Sequence, residues 1–316
     1  MKFGAYVAAR LSGICVVPFA EGEKRTHFQL FNVTTRAWTT RHRDDMASIV
    51  QKEIASLAHP GYIWRSKRDD EIELPEPLDD ITFCNKIADI VLSNLSDAAE
   101  LCPVAELDGD HTRGKILFND GSLFDFETGD VRRALPADRM GHTAGCPYKE
   151  CEVADGVRDL LASTFADLKT FYIEEGDKAL ADTNAGLKII DNLRQLEGKS
   201  KLLRVLIQFC GDWDTVFYFL RTVARCAVGE PRFCEFLYIF GPGSSGKDVV
   251  MGIFLHFFGS KDGNYGVVVG GHWIVDGKKQ KEGAEPFLAN TRGKRFVWAS
   301  EIPKHENLQL DMIKAT

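Results

Sequence analysis

The chain has 316 residues, 44% of them hydrophobic and 27% charged, and its formal net charge is -7. This composition is typical of a folded globular protein and excludes an intrinsically disordered chain. The negative charge excludes the uniformly basic surface of an independent duplex-DNA-binding protein, so any nucleic-acid contact is expected to be local. No apolar run is long enough to span a bilayer, and the first twenty residues lack the pattern of a secretory signal. We therefore expect an intracellular protein, nuclear or cytoplasmic, that makes no membrane contact.

The first segment, residues 1–78, is expected to be a small α+β unit. The sequence "HFQLFNVTTRAWTT" predicts two short strands around a turn at residues 34–37. An amphipathic helix is predicted next, because apolar residues recur at helical spacing. The residues on its apolar face are Met46, Ile49, Val50, Ile54 and Leu57.

The second segment, residues 79–231, begins after an acidic, proline-containing stretch that is a candidate domain boundary. Another amphipathic helix is predicted there, with an apolar face made of Phe83, Ile87, Ile90, Val91 and Leu95. A β-hairpin is predicted in "KILFNDGSLFDFETGD", since Asn119, Asp120 and Gly121 lie between two alternating runs and favour a tight turn.

Residues 157–228 carry a mainly helical pattern. Helix breaks are expected at Gly176, Gly198 and Gly211, and the block is expected to end at Gly229. Four aromatic residues lie close together on one predicted helix, and we interpret them as core packing rather than a base-stacking platform. These residues are Trp213, Phe217, Tyr218 and Phe219.

The third segment, residues 232–316, shows a change to α/β patterning. A continuous apolar strand ending at Phe240 is predicted to lead through a glycine-rich turn into an apolar helix. The turn fits the pattern G-x-x-x-x-G-K of a phosphate-binding loop, in which backbone N–H groups and a helix N-terminus surround phosphate oxygens. A turn required only for packing would explain the glycines but not the lysine. The predicted ATP phosphate-binding residues are Gly241, Pro242, Gly243, Ser244, Ser245, Gly246, Lys247 and Asp248.

Asp248 departs from the motif, because that position usually holds a Ser or Thr whose hydroxyl binds Mg²⁺. A carboxylate is a good ligand for Mg²⁺, but it would also repel a triphosphate, and charge alone does not decide between these outcomes. Downstream, Ser300 and Glu301 follow an apolar strand, where P-loop enzymes carry their catalytic acid. Glu301 is the predicted catalytic residue together with Lys247. For the magnesium shell we hypothesise an exchange, in which Asp248 supplies the carboxylate and Ser300 the hydroxyl.

Two other groups of residues admit less specific interpretations. His142, Cys146 and Cys151 form the tightest His/Cys cluster, but a fourth zinc ligand is missing from it. A mildly basic stretch lies between His272 and Arg295, and it fits either a DNA-backbone contact or a solvated surface. Its basic residues are Lys278, Lys279, Lys281, Arg292, Lys294 and Arg295.

From about Phe28 to its end the chain resembles superfamily 3 helicases, specifically the poxvirus-type primase-helicases of large DNA viruses and related phage and plasmid proteins. The resemblance is carried by "ILFNDGSLFDFETGDVRRALPADRM", followed by "GPGSSGKD", "EPFLANTRGKRFVWASE" and "LQLDMIK" in that order. It implies an α/β P-loop NTPase domain, preceded by a mainly helical region with β-hairpins (α+β). By the same resemblance, Glu301 supports hydrolysis and Lys314 opens a DNA-contacting loop.

The resemblance implies an ATP- and Mg²⁺-dependent DNA helicase that acts in replication of a virus or mobile element. Its expected partners are single-stranded DNA, further copies of the chain in a ring, and a primase. The family's polar sensor and arginine finger have no counterpart before Thr316, so a truncated P-loop domain that binds ATP with little turnover is expected. A non-helicase P-loop NTPase and a nucleotide-binding or assembly module without turnover are the alternatives. The sequence does not specify strand polarity, ring size or source.

Overall fold

The computed structural model describes residues 27–57, 107–150, 156–229 except 177 and 179, 237–241, 245–271 and 290–300. It also describes shorter pieces at 8, 11, 15–16, 64–65, 71–72, 85, 88–93 and 95. The chain divides into a first compact unit of residues 1–144 and 261–265, and a second of residues 145–260 and 266–316. Helices and small sheets make up the described residues, so the expected α+β character is confirmed. The three-segment division at residues 78 and 231 stays a prediction.

The first unit begins with the predicted hairpin, which is confirmed. Strands β1 (Cys15–Val16), β2 (His27–Phe31) and β3 (Trp38–His42) form an antiparallel sheet in that order. The β2–β3 turn is held by Asn32, whose side-chain oxygen accepts hydrogen bonds from the backbone N–H groups of Thr34 at 2.8 Å and Thr35 at 3.1 Å. An Asn side chain that bonds the following backbone in this way favours a turn over a continued strand.

The two amphipathic helices predicted in this part of the chain are present. Helix α1 (Asp45–Leu57) and the helical residues 88–93 contribute to one apolar core that includes Phe28. In the second stretch Val91 and Leu95 are buried, but Ile90 is 45% exposed, so its assignment to the apolar face is wrong. The buried positions are 88, 91, 92 and 95, a helical stripe that leaves residue 90 outside. Positions 83 and 87 lie outside the described residues.

The second predicted hairpin is also confirmed. Strands β6 (Lys115–Leu117), β7 (Ser122–Asp125) and β8 (Val131–Arg133) form an antiparallel sheet in that order. Gly121 adopts a φ of 84° in the turn, a conformation that glycine takes without a steric penalty. Two shorter strands, β4 (Trp64–Arg65) and β5 (Glu71–Ile72), pair with each other.

Residues 261–265 belong to the first unit although they follow a helix of the second. Tyr265 is fully buried, and its hydroxyl accepts a hydrogen bond from the backbone N–H of Leu117 at 3.2 Å. The side-chain amide of Asn264 donates to the hydroxyl of Thr143 at 3.1 Å. These contacts attach the short segment to the first unit, with Tyr265 as its buried residue.

The second unit starts with the predicted helical block. Its helices are α2 (Val157–Glu175), α3 (Asn184–Lys199), α4 (Lys201–Cys210) and α5 (Trp213–Val228). Helix ends at Gly176, Gly211 and Gly229 are confirmed. The break expected at Gly198 falls instead at Ser200, because the Ser200 hydroxyl accepts a hydrogen bond from the Leu203 N–H and caps α4.

The aromatic residues of α5 pack largely as predicted. Phe219 is buried, and Trp213 and Phe217 are half-buried against the apolar core shared by α2 and α3. Tyr218 is 52% exposed, so the prediction that it is a core residue is wrong, since the buried side of α5 is formed by positions 216, 219, 222, 223 and 227 and position 218 lies outside it. No described helix combines the length and apolarity that crossing a membrane demands.

The last part of the second unit joins one helix to a pair of parallel strands. Helix α6 (Lys247–Phe258) precedes β9 (Gly266–Gly270), and β9 pairs in parallel with β10 (Phe296–Ser300). The ring of Phe258 stacks on that of Phe296 with centroids 4.8 Å apart. Strand β10 confirms the apolar strand predicted before Glu301.

The strand predicted immediately before the glycine-rich turn is not formed where the structure describes it. Residues 237–240 have no strand assignment, and Tyr238 and Phe240 are 55% and 82% exposed. An apolar run becomes a strand only when another backbone satisfies its N–H and C=O groups, and among the described residues none pairs with this one. Residues 231–236 lie outside the described part of the chain.

Candidate phosphate-binding site

The described part of the glycine-rich turn leads directly into the N-terminus of α6. Gly246 precedes the helix with a φ of 82° and a ψ of 6°, the left-handed conformation, and Lys247 is the first helical residue. A residue with a side chain would be strained at Gly246, which explains the glycine at the point where the chain turns into the helix. The first N–H groups of a helix have no partner within the helix and carry its positive dipole end, so this turn favours an anion.

The side chain of Lys247 folds back over the turn. Its ammonium donates hydrogen bonds to the carbonyl oxygen of Gly241 at 3.2 Å and to the hydroxyl of Ser245 at 2.8 Å. The lysine at the end of the motif therefore contacts Gly241, its first residue, and Ser245, which brings a positive charge next to both.

Asp248 occupies the first turn of α6 and is exposed. A negative side chain at this position interacts favourably with the positive end of the helix dipole. The site thus presents one positive and one negative group on consecutive residues.

The structure places only part of the predicted site. Gly241, Ser245, Gly246, Lys247 and Asp248 are brought together in one turn and helix start. Ser300 ends β10 at the same sheet edge as the end of β9, the edge where parallel sheets bind their ligands, but its side chain is not described. The remaining predicted residues lie outside the described chain and stay predictions: Pro242, Gly243, Ser244, Glu301 and Lys314.

One residue of the predicted basic stretch has a different role. The guanidinium of Arg295 donates a hydrogen bond to the carbonyl oxygen of Ala227 at 2.8 Å, in the last turn of α5. Carbonyl groups at a helix C-terminus lack helical partners and carry its negative dipole end, so a cation there is stabilising. Arg292 is exposed. The three lysines of the stretch, at positions 278, 279 and 281, lie outside the described residues.

A buried Asp–His pair was not predicted from the sequence. Asp108, whose side chain is 6% exposed, accepts a hydrogen bond from the Gly141 N–H at 2.9 Å, and its other oxygen lies 2.6 Å from Nδ1 of His142. His142, considered above as a zinc ligand, is therefore held by a carboxylate 34 positions away, a distance at which no local pattern could indicate the pair. Among the described residues no group of three His, Cys, Asp or Glu side chains is arranged to bind a metal, and Cys151 lies outside them.

The interpretation of the glycine-rich turn depends on these residues and on the resemblance of the sequence motifs. Comparisons with known proteins add no relative on which to base a residue-by-residue transfer of function. No protein-family model matches the chain, and no curated protein matches it either.

Proposed function

We propose that residues 241–248 bind the phosphates of ATP and that the chain is an ATP-dependent DNA helicase of the superfamily 3 type. One observation carries the nucleotide-binding part of this proposal. The Lys247 ammonium lies over the turn that opens α6, within hydrogen-bonding distance of Gly241 and Ser245. An ammonium held close to a glycine-rich turn at a helix N-terminus is the arrangement expected of a phosphate-binding loop.

The chemistry follows from charge. The N–H groups at the start of α6 would donate to phosphate oxygens, and the Lys247 ammonium would exchange its bonds to Gly241 and Ser245 for bonds to the β- and γ-phosphates. Glu301 would accept a proton from the water that attacks the γ-phosphorus, while the bond from that phosphorus to the bridging oxygen breaks and ADP leaves. Glu301 is proposed from its position in the sequence after β10.

Magnesium suits the donor atoms of this site. Asp248 has an exposed carboxylate on the residue after Lys247, and hard oxygen donors are the ligands that Mg²⁺ prefers. The hydroxyl of Ser300, the last residue of β10, is the second ligand that we propose. When bound, the ion would neutralise negative charge that develops on the phosphates. The role of the chain's own residues is to hold it beside the phosphate loop.

A P-loop α/β domain is the fold we propose for residues 232–316. The parallel β9–β10 pair packed against α6 supports this fold, because parallel strands and a covering helix are its repeating elements. In this fold the apolar residues 237–240 would add a further strand. Their exposure indicates an apolar surface that requires a covering element.

The proposed partners rest on the sequence resemblance. Single-stranded DNA would contact the segment that begins at Lys314, and several copies of the chain would form a ring, with a primase acting beforehand. In a ring, basic residues from several copies would face the same DNA strand. Local attraction of the DNA is then compatible with a net charge of -7 for each chain.

Nucleotide binding is tested by replacing the lysine. We expect Lys247→Ala to weaken ATP binding roughly 10- to 100-fold in Kd, because hydrogen bonds to a charged group contribute about 1.5–3 kcal/mol. The matched control is Lys201→Ala, since Lys201 is the exposed first residue of α4 just as Lys247 is the first residue of α6. Titration with a fluorescent ATP analogue measures both Kd values. Equal weakening in both variants, or in neither, would contradict a phosphate-binding role for the turn.

The helicase part is tested separately by turnover. We expect single-stranded DNA to increase ATP hydrolysis by the purified chain, measured as released phosphate. Binding and hydrolysis without a response to DNA would favour a non-helicase P-loop NTPase. Binding without any hydrolysis would favour the nucleotide-binding module without turnover, an alternative that Asp248 supports because it replaces the usual magnesium-binding hydroxyl.

A further inference from the structure

Asp248 places a negative charge where phosphate-binding loops usually carry a neutral hydroxyl. Its carboxylate is exposed in the first turn of α6, and the neighbouring Lys247 ammonium is directed to Gly241 and Ser245. Any phosphate drawn to the lysine and to the helix N-terminus therefore also approaches this carboxylate. Lys247 attracts an anion, and Asp248 repels it.

We propose that Asp248 makes the turn select the magnesium complex of ATP and reject the free nucleotide. This inference rests on the proposed nucleotide-binding function and concerns the form of the ligand that the site accepts. It also resolves the choice left open by the sequence, because both effects of the carboxylate occur, each with a different form of the nucleotide.

The two forms of the nucleotide differ in the charge that they bring to Asp248. A metal-free triphosphate brings several negative charges toward the Asp248 carboxylate, and like charges a few ångströms apart repel more strongly at a protein surface than in bulk water. A bound divalent cation reverses the sign of this interaction, because it attracts the carboxylate and the phosphate oxygens together. The extent to which nucleotide binding depends on magnesium is therefore determined by the side chain at position 248 as well as by the phosphate loop.

The exposed location of Asp248 makes the test practicable. Replacement of an exposed residue that lies in the first helical turn changes stability little, since no packing is removed. Asp248→Ser restores a hydroxyl, and Asp248→Asn removes the charge with almost no change of shape. The matched control is Asp159→Ser, because Asp159 is an exposed acid in the first turn of α2.

The experiment measures Kd for a fluorescent ATP analogue with magnesium and with EDTA, for the intact chain and the three variants. The quantity compared is the ratio of Kd in EDTA to Kd with magnesium. We expect this ratio to be at least about tenfold larger for wild type and Asp159→Ser than for Asp248→Ser and Asp248→Asn. With EDTA present, both Asp248 variants should bind the analogue more tightly than wild type. Circular dichroism checks that all variants are folded.

The outcomes separate this inference from the proposed function. If wild type binds the analogue but loses affinity in EDTA to the same extent as both Asp248 variants, Asp248 does not select the metal complex. If wild type binds the analogue neither with magnesium nor with EDTA, nucleotide binding itself is contradicted and the inference falls with it. If the loss of affinity in EDTA becomes smaller than in wild type for Asp248→Ser but not for Asp248→Asn, charge is not the cause. That result overturns the proposal.

Discussion

Replacing Gly186 with alanine is expected to destabilise the helical block of the second unit by about 3 kcal/mol or more. Gly186 is a buried residue of α3, and a Cβ atom there would overlap the carbonyl oxygen of Leu180 and lie 2.6 Å from its carbonyl carbon. Both are backbone atoms, so no side-chain rotation relieves the overlap. The helix start would have to move, although it is fixed by the hydrogen bond from the Gly186 N–H to the hydroxyl of Thr183 at 3.0 Å.

Gly198 provides a matched control in the same helix. A Cβ atom at Gly198 would have no neighbour within 4 Å, and the residue is exposed. Gly198→Ala should therefore stabilise the helix by up to about 1 kcal/mol, the usual difference between alanine and glycine within a helix. Thermal unfolding followed by circular dichroism measures both variants. A Tm for Gly186→Ala equal to that of wild type would show that the close approach to Leu180 is wrong.

The second large effect is expected where α6 meets β9. A Cβ atom on Gly266 would overlap the carbonyl oxygen of Gly259 and lie 3.0 Å from Cβ of Phe258. We expect Gly266→Ala to destabilise the second unit by about 2–4 kcal/mol, because the helix end and the strand start must separate. Separation would also disturb the stacking of Phe258 on Phe296, which connects α6 to β10.

Gly252→Ala on α6 serves as the control for this variant. Gly252 is exposed and a Cβ atom there would have no neighbour within 4 Å, so the substitution should be neutral or slightly stabilising. If α6 carries the nucleotide site, Gly266→Ala should weaken ATP binding as well as stability, whereas Gly252→Ala should change neither by much. Denaturant unfolding and the fluorescent nucleotide titration measure the two properties. Unaltered stability of Gly266→Ala would contradict the close packing of the helix end against β9.

Local signals predicted much of the fold. The Asn119-Asp120-Gly121 turn specified the second hairpin, because its backbone conformation is encoded by the turn residues themselves. Helix ends at Gly176 and Gly229 followed from the same kind of local preference. The helix predicted after the glycine-rich turn likewise begins at Lys247, since this signal requires no knowledge of distant residues.

Features that depend on distant contacts could not be predicted in this way. Arg295 looked like a candidate DNA contact, yet its partner is the carbonyl of Ala227, 68 positions earlier in the chain. The hydrophobicity of residues 237–240 predicted a strand, but hydrophobicity does not specify which backbone will pair with it. Ile90 shows that the same holds within a helix. The spacing of apolar residues was compatible with a buried face that includes Ile90 and with one that includes Leu92, and tertiary packing buries Val91 and Leu92.

The position of residues 261–265 has a consequence for the order in which the chain folds during synthesis. The first unit encloses the ring of Tyr265, and the hydroxyl of that ring satisfies the backbone N–H of Leu117. Translation reaches Tyr265 only after residues 145–260, which belong to the other unit, have been synthesised. The amino-terminal unit therefore cannot reach its final packing as an independent nascent domain, and the helical block is synthesised while that interior is still incomplete.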